Sequence, residues 1–222
     1  MNRTIELTGA RTSAIETNKV LKNTYALLSI TLLFSSLMAF VSMQFAMPAF
    51  LPLLTTLGAI GLMWLVLPKT ANSAAGIGVV FAITGLLGFG LGPILNQYLA
   101  LSNGGQLIMT SLGGTGVIFL ALSGYALVSK RDFSFLGGML FAGMVMILIA
   151  ALANIFLEIP ALSLAISAIV ILIMSGFILY DTSRIINGGE TNYVLATVSL
   201  YLSIYNIFIN LLALLGILSG DD

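Results

Sequence analysis

Seven stretches of this chain are long and apolar enough to cross a lipid bilayer, and they leave little of it over. The hydrocarbon core asks for about 20 apolar residues per helical crossing. The stretches are Thr24–Phe45, Phe50–Leu67, Ala74–Leu95, Gln106–Val128, Phe135–Leu157, Ala161–Ile186 and a last one from Asn192 to Leu218. A backbone in hydrocarbon must satisfy its own hydrogen bonds, so each crossing has to be a helix. Composition agrees, with 7% charged residues against about 25% in soluble domains. The expected fold is an all-α integral membrane protein with seven transmembrane helices in one domain, residues 24–218. A polar tail, residues 1–23, precedes it and a short external tail, residues 219–222, follows. The tail is polar and the first apolar stretch lacks a small-x-small cleavage pattern, so the first span is expected to be uncleaved.

Charge tests the number of spans. The basic residues are Arg3, Arg11, Lys19 and Lys22 on the first tail, Lys69 after span two, Lys130 and Arg131 after span four, and Arg184 at the end of span six. When seven helices alternate, all of these fall on one side. The positive-inside rule makes that side cytoplasmic, with the N-terminus in and the C-terminus out.

Several functions are excluded by what is missing. The chain has no Cys and no His, which removes thiolate or imidazole metal sites, a Cys nucleophile and a His general base. Zero net charge gives no argument for nucleic acid. A pair of buried aspartates, as an intramembrane aspartyl protease needs, is not available within the spans. No enzyme activity, cofactor or resident metal is expected.

Glycine punctuates the third span at Gly78, Gly85, Gly88 and Gly92, with Ala82 in the same row. Small residues at helical spacing let a neighbouring helix approach closely. The Gly92-Pro93 step is expected to end or kink that span, and Pro52 to interrupt span two early.

One acid lies deep inside a span. Asp181 sits about six residues, or roughly 9 Å, from the turn at Asn187–Glu190. An ionisable group at that depth is costly and faces a partner or a wet cavity. Span seven offers partners, because Ser199, Ser203, Asn206 and Asn210 share one helical face and Ser199 returns to the level of Asp181. Two readings of Asp181 stand open. It can pair with Arg184 at i+3 as a structural anchor. Alternatively it is a proton-sensitive latch to Ser199, Ser203 or Asn206, with weak cation contact at its carboxylate.

The stretches Gly85-Leu86-Leu87-Gly88, Gly92-Pro93-Ile94-Leu95, Phe133-Ser134-Phe135-Leu136-Gly137-Gly138, Leu179-Tyr180-Asp181 and Ser199-Leu200-Tyr201-Leu202 resemble the Bax inhibitor-1 family over essentially the whole chain. The bacterial YccA-type branch is the most similar, through Gly188-Gly189-Glu190-Thr191-Asn192-Tyr193 and Tyr205-Asn206-Ile207-Phe208. The resemblance implies a seven-helix bundle in the bacterial inner membrane, with the last helix central. It also implies association with the membrane-anchored ATP-dependent protease FtsH, as modulator and substrate, for which residues 1–23 with Arg3, Arg11, Lys19 and Lys22 offer a handle. The alternative it implies is a pH-sensitive calcium leak gated by an aspartate pair between helices six and seven. Asp181 matches the first of that pair, Ser203 stands at the second, and Phe50–Leu67 carries no arginine to latch onto them.

Overall fold

Helix α1 (Asn2–Met43) carries the first span and continues N-terminally without a break. The structure, a computed structural model, describes residues 2–45 and 47–220, with side chains described from Glu16 onward. The Arg3 and Arg11 side chains and Asp221-Asp222 of the second tail therefore lie outside the described residues. The second span is built from α2 (Leu51–Gly61), a π turn (Leu62–Val66) and α3 (Leu67–Thr70). Then follow α4 (Ala74–Leu99), α5 (Gly104–Ser129), α6 (Leu136–Leu157), α7 (Pro160–Ile186) and α8 (Tyr193–Ser219). Among the described residues there is no strand, and seven helical segments have the length and hydropathy to cross a membrane.

Proline behaves differently from the sequence expectation at Pro52 and Pro68, and Pro93 does not end its span. Pro52 lies in the first turn of α2, where its missing N–H is not needed, so it starts the helix rather than interrupting it. Pro68 does not close span two at Leu67. The π turn widens the helix just ahead of it, which relieves the clash of its ring with the preceding turn, and the span continues to Thr70. Pro93 sits inside α4, which runs on to Leu99. One lost ladder bond is tolerated in a transmembrane helix whose neighbours hold it.

The neighbour holding α4 is α1, and the two pack closely through glycine. A Cβ on Gly85 would come within 2.8 Å of the Phe34 ring, and on Gly88 and Gly92 it would overlap Ser35 and Ser42. Gly90, on another face, receives Thr55 of α2. Gly78 is not part of this contact, since a Cβ there meets nothing within 4 Å.

Helix α8 packs on α1, α4, α5 and α7, whereas α2 lies on α4 and α6 on α7 alone. The buried residues of α8, among them Leu200, Tyr201, Ile204, Ile207 and Leu212, face more than one neighbour. Helix α6 buries only Leu140 and Ile147. Its remaining apolar side chains, such as Phe141, Ile149 and Phe156, are exposed, as they should be on a helix facing lipid.

The turns gather at two ends. At one, Ser183 of α7 donates to the Arg131 carbonyl at 3.0 Å and accepts from Phe133 N–H at 2.9 Å. Asn192 reaches the Ala71-Asn72 turn beside α3, and Lys19 lines a cleft with Glu190. Lys19, Lys69, Arg131 and Arg184 are thereby brought to the same end. There too Asp132 accepts from the Ser134 N–H at 2.8 Å, and the Ser134 hydroxyl and N–H hold its carboxyl below the usual range. At the opposite end, Asn96 donates to the Met43 carbonyl and Asn154 to Ser163.

Candidate functional site

The site forms where α7 and α8 run antiparallel beside their connecting turn. That turn is a Schellman motif: Gly188 has φ of 75°, Gly189 N–H donates to the Arg184 carbonyl at 2.8 Å, and Gly188 N–H to Ile185 at 3.3 Å. Such an ending satisfies the last carbonyls of α7 and reverses the chain abruptly. Asn192 then opens α8. Its side-chain oxygen accepts from Val194 N–H at 2.9 Å and Leu195 N–H at 3.2 Å, an N-cap. The same side chain donates to the Ala71 carbonyl at 3.1 Å and to Asn72 at 2.8 Å. Its own N–H is held by Glu190 at 2.9 Å.

This clamp fixes the register of α8 against α7, and the register brings Ser199 to Asp181. The Ser199 hydroxyl donates to Asp181 Oδ2 at 2.5 Å. Asp181 is only 7% exposed. The rest of the stripe does not reach it. Ser203 donates to the Ser199 carbonyl at 3.2 Å, Asn206 to Leu202 at 2.8 Å and Asn210 to Asn206 at 2.8 Å. Each of these polar groups bonds to the preceding turn of its own helix, which satisfies it in hydrocarbon without any second helix. Of the three partners expected for Asp181, Ser199, Ser203 or Asn206, the structure brings Ser199 to it and turns the other two onto their own helix.

Arg184 is engaged elsewhere. Its guanidinium donates to the Gly189 carbonyl at 2.9 Å, lies 3.6 Å from Glu190 Oε2 and stands 5.5 Å over the Tyr180 ring. Among the described residues Arg184–Glu190 is the one ion pair. The anchor expected between Asp181 and Arg184 is corrected on this point. The i+3 spacing permits it, but the reversed chain offers Arg184 a carbonyl and a carboxylate closer to water. Lys19 and Lys22 are exposed on α1.

Next to Asp181, a hydroxyl cluster ties two more helices, α1 and α5, to α7. Tyr25 of α1 hydrogen-bonds Ser123 of α5, and Thr182 Oγ1 lies 3.4 Å from the Tyr25 hydroxyl and 3.5 Å from Ser123 Oγ. Sequence reasoning did not single out Ser123, Thr182 or Ser183, because scattered hydroxyls in spans carry no pattern. Asn192 did have a signal, an Asn just before an apolar run.

Chemically, the arrangement is, among the described residues, a buried carboxyl group with one hydroxyl partner, set where four helices, α1, α5, α7 and α8, meet. It can accept from Ser199 as the ion or donate to it as the acid. Among the described residues no three acidic side chains gather into a metal-binding group.

Removing the clamp is predicted to loosen the site without touching it. Asn192→Ala loses the cap, worth about 0.5–2 kcal/mol, and two bonds to the neighbouring turn. We expect a lower thermal unfolding midpoint in detergent and faster hydrogen exchange over the first turns of α8. An unchanged exchange profile there would show that α8 needs no clamp.

Comparison with known proteins places this geometry in context. The family model described as "Inhibitor of apoptosis-promoting Bax1" matches residues 17–220. The chain is 54% identical over 221 residues, all of both chains, to the modulator of FtsH protease YccA of Escherichia coli K12. It is equally similar to the inner membrane protein YccA of Escherichia coli O6:H1. An uncharacterized membrane protein of Vibrio cholerae is 50% identical over 208 residues, 94% of this chain and 93% of that one.

Proposed function

The chain belongs to the Bax inhibitor-1 family, and on that footing we propose that it modulates a membrane-anchored ATP-dependent protease of the FtsH type. It is a multi-pass inner-membrane protein. In this reading it is not an enzyme; it acts by binding, and the protease also takes it as a substrate. The observation that carries the reading is end-to-end similarity to a protein named as that protease's modulator, with no unmatched domain on either side.

The shape of α1 fits the role. Its 42 residues make a helix about 63 Å long, roughly twice the hydrocarbon thickness of about 30 Å. With the N-terminus in, as the basic end supports, the surplus projects on the cytoplasmic side and offers the protease a handle. The bundle behind it resists extraction. A truncation beginning at Glu16 is expected to fold but to lose co-purification with the protease and protection of the protease's other membrane substrates. Retained co-purification would move the contact to another surface.

A second reading is favoured by one specific observation, the buried Asp181 carboxyl facing a single hydroxyl between α7 and α8. It is a proton-sensitive calcium leak. Ser203 in place of a second acid weakens cation binding in this reading, so weak contact at Asp181 is all it asks. Calcium flux from proteoliposomes across a pH series decides between the two. Flux abolished by Asp181→Ala supports the leak, and no flux at any pH removes it.

A further inference from the structure

Helices α1 and α5 meet at the Tyr25–Ser123 bond, and further along the same two helices, with α4 and α8, line an apolar gap. We propose that this gap is a binding site for one acyl chain of a membrane phospholipid. It is a cleft of ≈ 390 Å³, and it belongs to neither the Asp181 site nor the cytoplasmic handle.

Its dimensions suit one chain in one leaflet. The α1 wall runs from Leu32 to Met43 and the α5 wall from Ile108 to Phe119, each about 16 Å long at 1.5 Å per residue. Half of a hydrocarbon core of about 30 Å is nearly the same length.

Its chemistry excludes water. Every wall hydroxyl is committed inside the protein: Ser35 with Tyr201 at 2.6 Å, Ser36 to the Leu33 carbonyl at 2.8 Å, Thr115 to the Ser111 carbonyl at 2.7 Å and Tyr205 to the Leu87 carbonyl at 3.5 Å. What remains is aliphatic and aromatic surface, and a water needs two to four polar partners to stay. The cleft is also continuous with the surface that meets lipid. Phe40 of the α1 wall and Leu112 of the α5 wall line the cleft and are 60% and 52% exposed. An empty apolar cleft open to hydrocarbon forfeits dispersion contacts that an entering chain restores.

Gly116 sits in the α5 wall, and a Cβ there meets nothing within 4 Å, so a larger side chain can be built into the cleft. The test uses the full chain in nanodiscs of phosphatidylethanolamine carrying a mid-chain diazirine, irradiated and mapped by mass spectrometry. In the wild type, label is expected on Leu91 and Phe208, which are buried in the floor and reachable only by a chain inside the cleft. Gly116→Phe is expected to cut that labelling at least fivefold. Labelling of Leu33 and Leu120 stays unchanged and reports that the variant is folded in the bilayer. An unlabelled floor in the wild type overturns the site whatever the variant does. Floor labelling that survives Gly116→Phe also overturns it, as does a protein–protein crosslink through Phe208, which would make a second copy the occupant.

Discussion

Gly88→Leu is expected to abolish accumulation of folded protein in the membrane. A Cβ at this position overlaps the Ser35 carbonyl and hydroxyl, and the carbonyl is backbone, so it cannot rotate away. That Ser35 hydroxyl also holds Tyr201 of α8 at 2.6 Å. The Tyr201 ring is 1% exposed and stacks on Tyr205 at 6.1 Å. One substitution therefore pushes apart α1 and α4 and breaks the bond that joins both to α8. Overpacking alone costs about 1–3 kcal/mol and more where backbone must shift. Losing a buried hydrogen bond adds about 0.5–1.5 kcal/mol. In lipid, helix association draws on packing and hydrogen bonds rather than on expulsion of water, so no other large contribution compensates. Gly78→Leu is the control on the same helix, expected to stay within about 0.5 kcal/mol of wild type. Size-exclusion profiles and thermal aggregation in detergent compare them. If both variants behave alike, the glycine face is not what joins α1 to α4.

The second large effect is a separation of stability from function at Asp181 and Ser199. Ser199→Ala removes the one side-chain partner Asp181 has. A buried hydrogen bond to a charged group is worth about 1.5–3 kcal/mol, and leaving the carboxylate unpartnered costs the most. The double variant Asp181→Leu/Ser199→Ala removes both polar groups and fills the space with hydrocarbon, which is often neutral or better. The expected order of stability is single variant lowest, double variant near wild type. Function, read as calcium flux, is expected to follow another order in the leak reading, with the double variant as inactive as Asp181→Ala. A stable double variant that still conducts calcium would make the pair a structural bond only. Unfolding midpoints measured beside calcium flux from proteoliposomes give both orders in one set of variants.

Much of the site was legible in the chain because lipid punishes irregularity. A charge about six residues inside a span had to be noticed, and counting residues from the turn at 1.5 Å each put Ser199 at its level. The same counting could not choose between Ser199, Ser203 and Asn206, which lie on one face. Their competitor was the carbonyl four residues back, present beside every residue of a helix and silent in any pattern. Arg184 escaped for a related reason. Spacing along α7 favoured Asp181, but the Schellman reversal at Gly188 carried Gly189 and Glu190 back within its reach. Pro68 and Pro93 looked like ends because proline ends helices in water; here packing on α4 and α1 lets the spans continue.

By itself, the sequence determined the solvent, the helical state, the number of spans and the gathering of basic residues at one end. Those follow from hydrocarbon lengths and from the cost of unpaired backbone and charge, which act on each segment separately. Only the tertiary structure decided which hydroxyl holds Asp181, which glycines admit α1, and where α1 and α5 line a cleft. Each of these depends on how one helix is rotated and set against another, and that is resolved only when all the faces compete for the same neighbours.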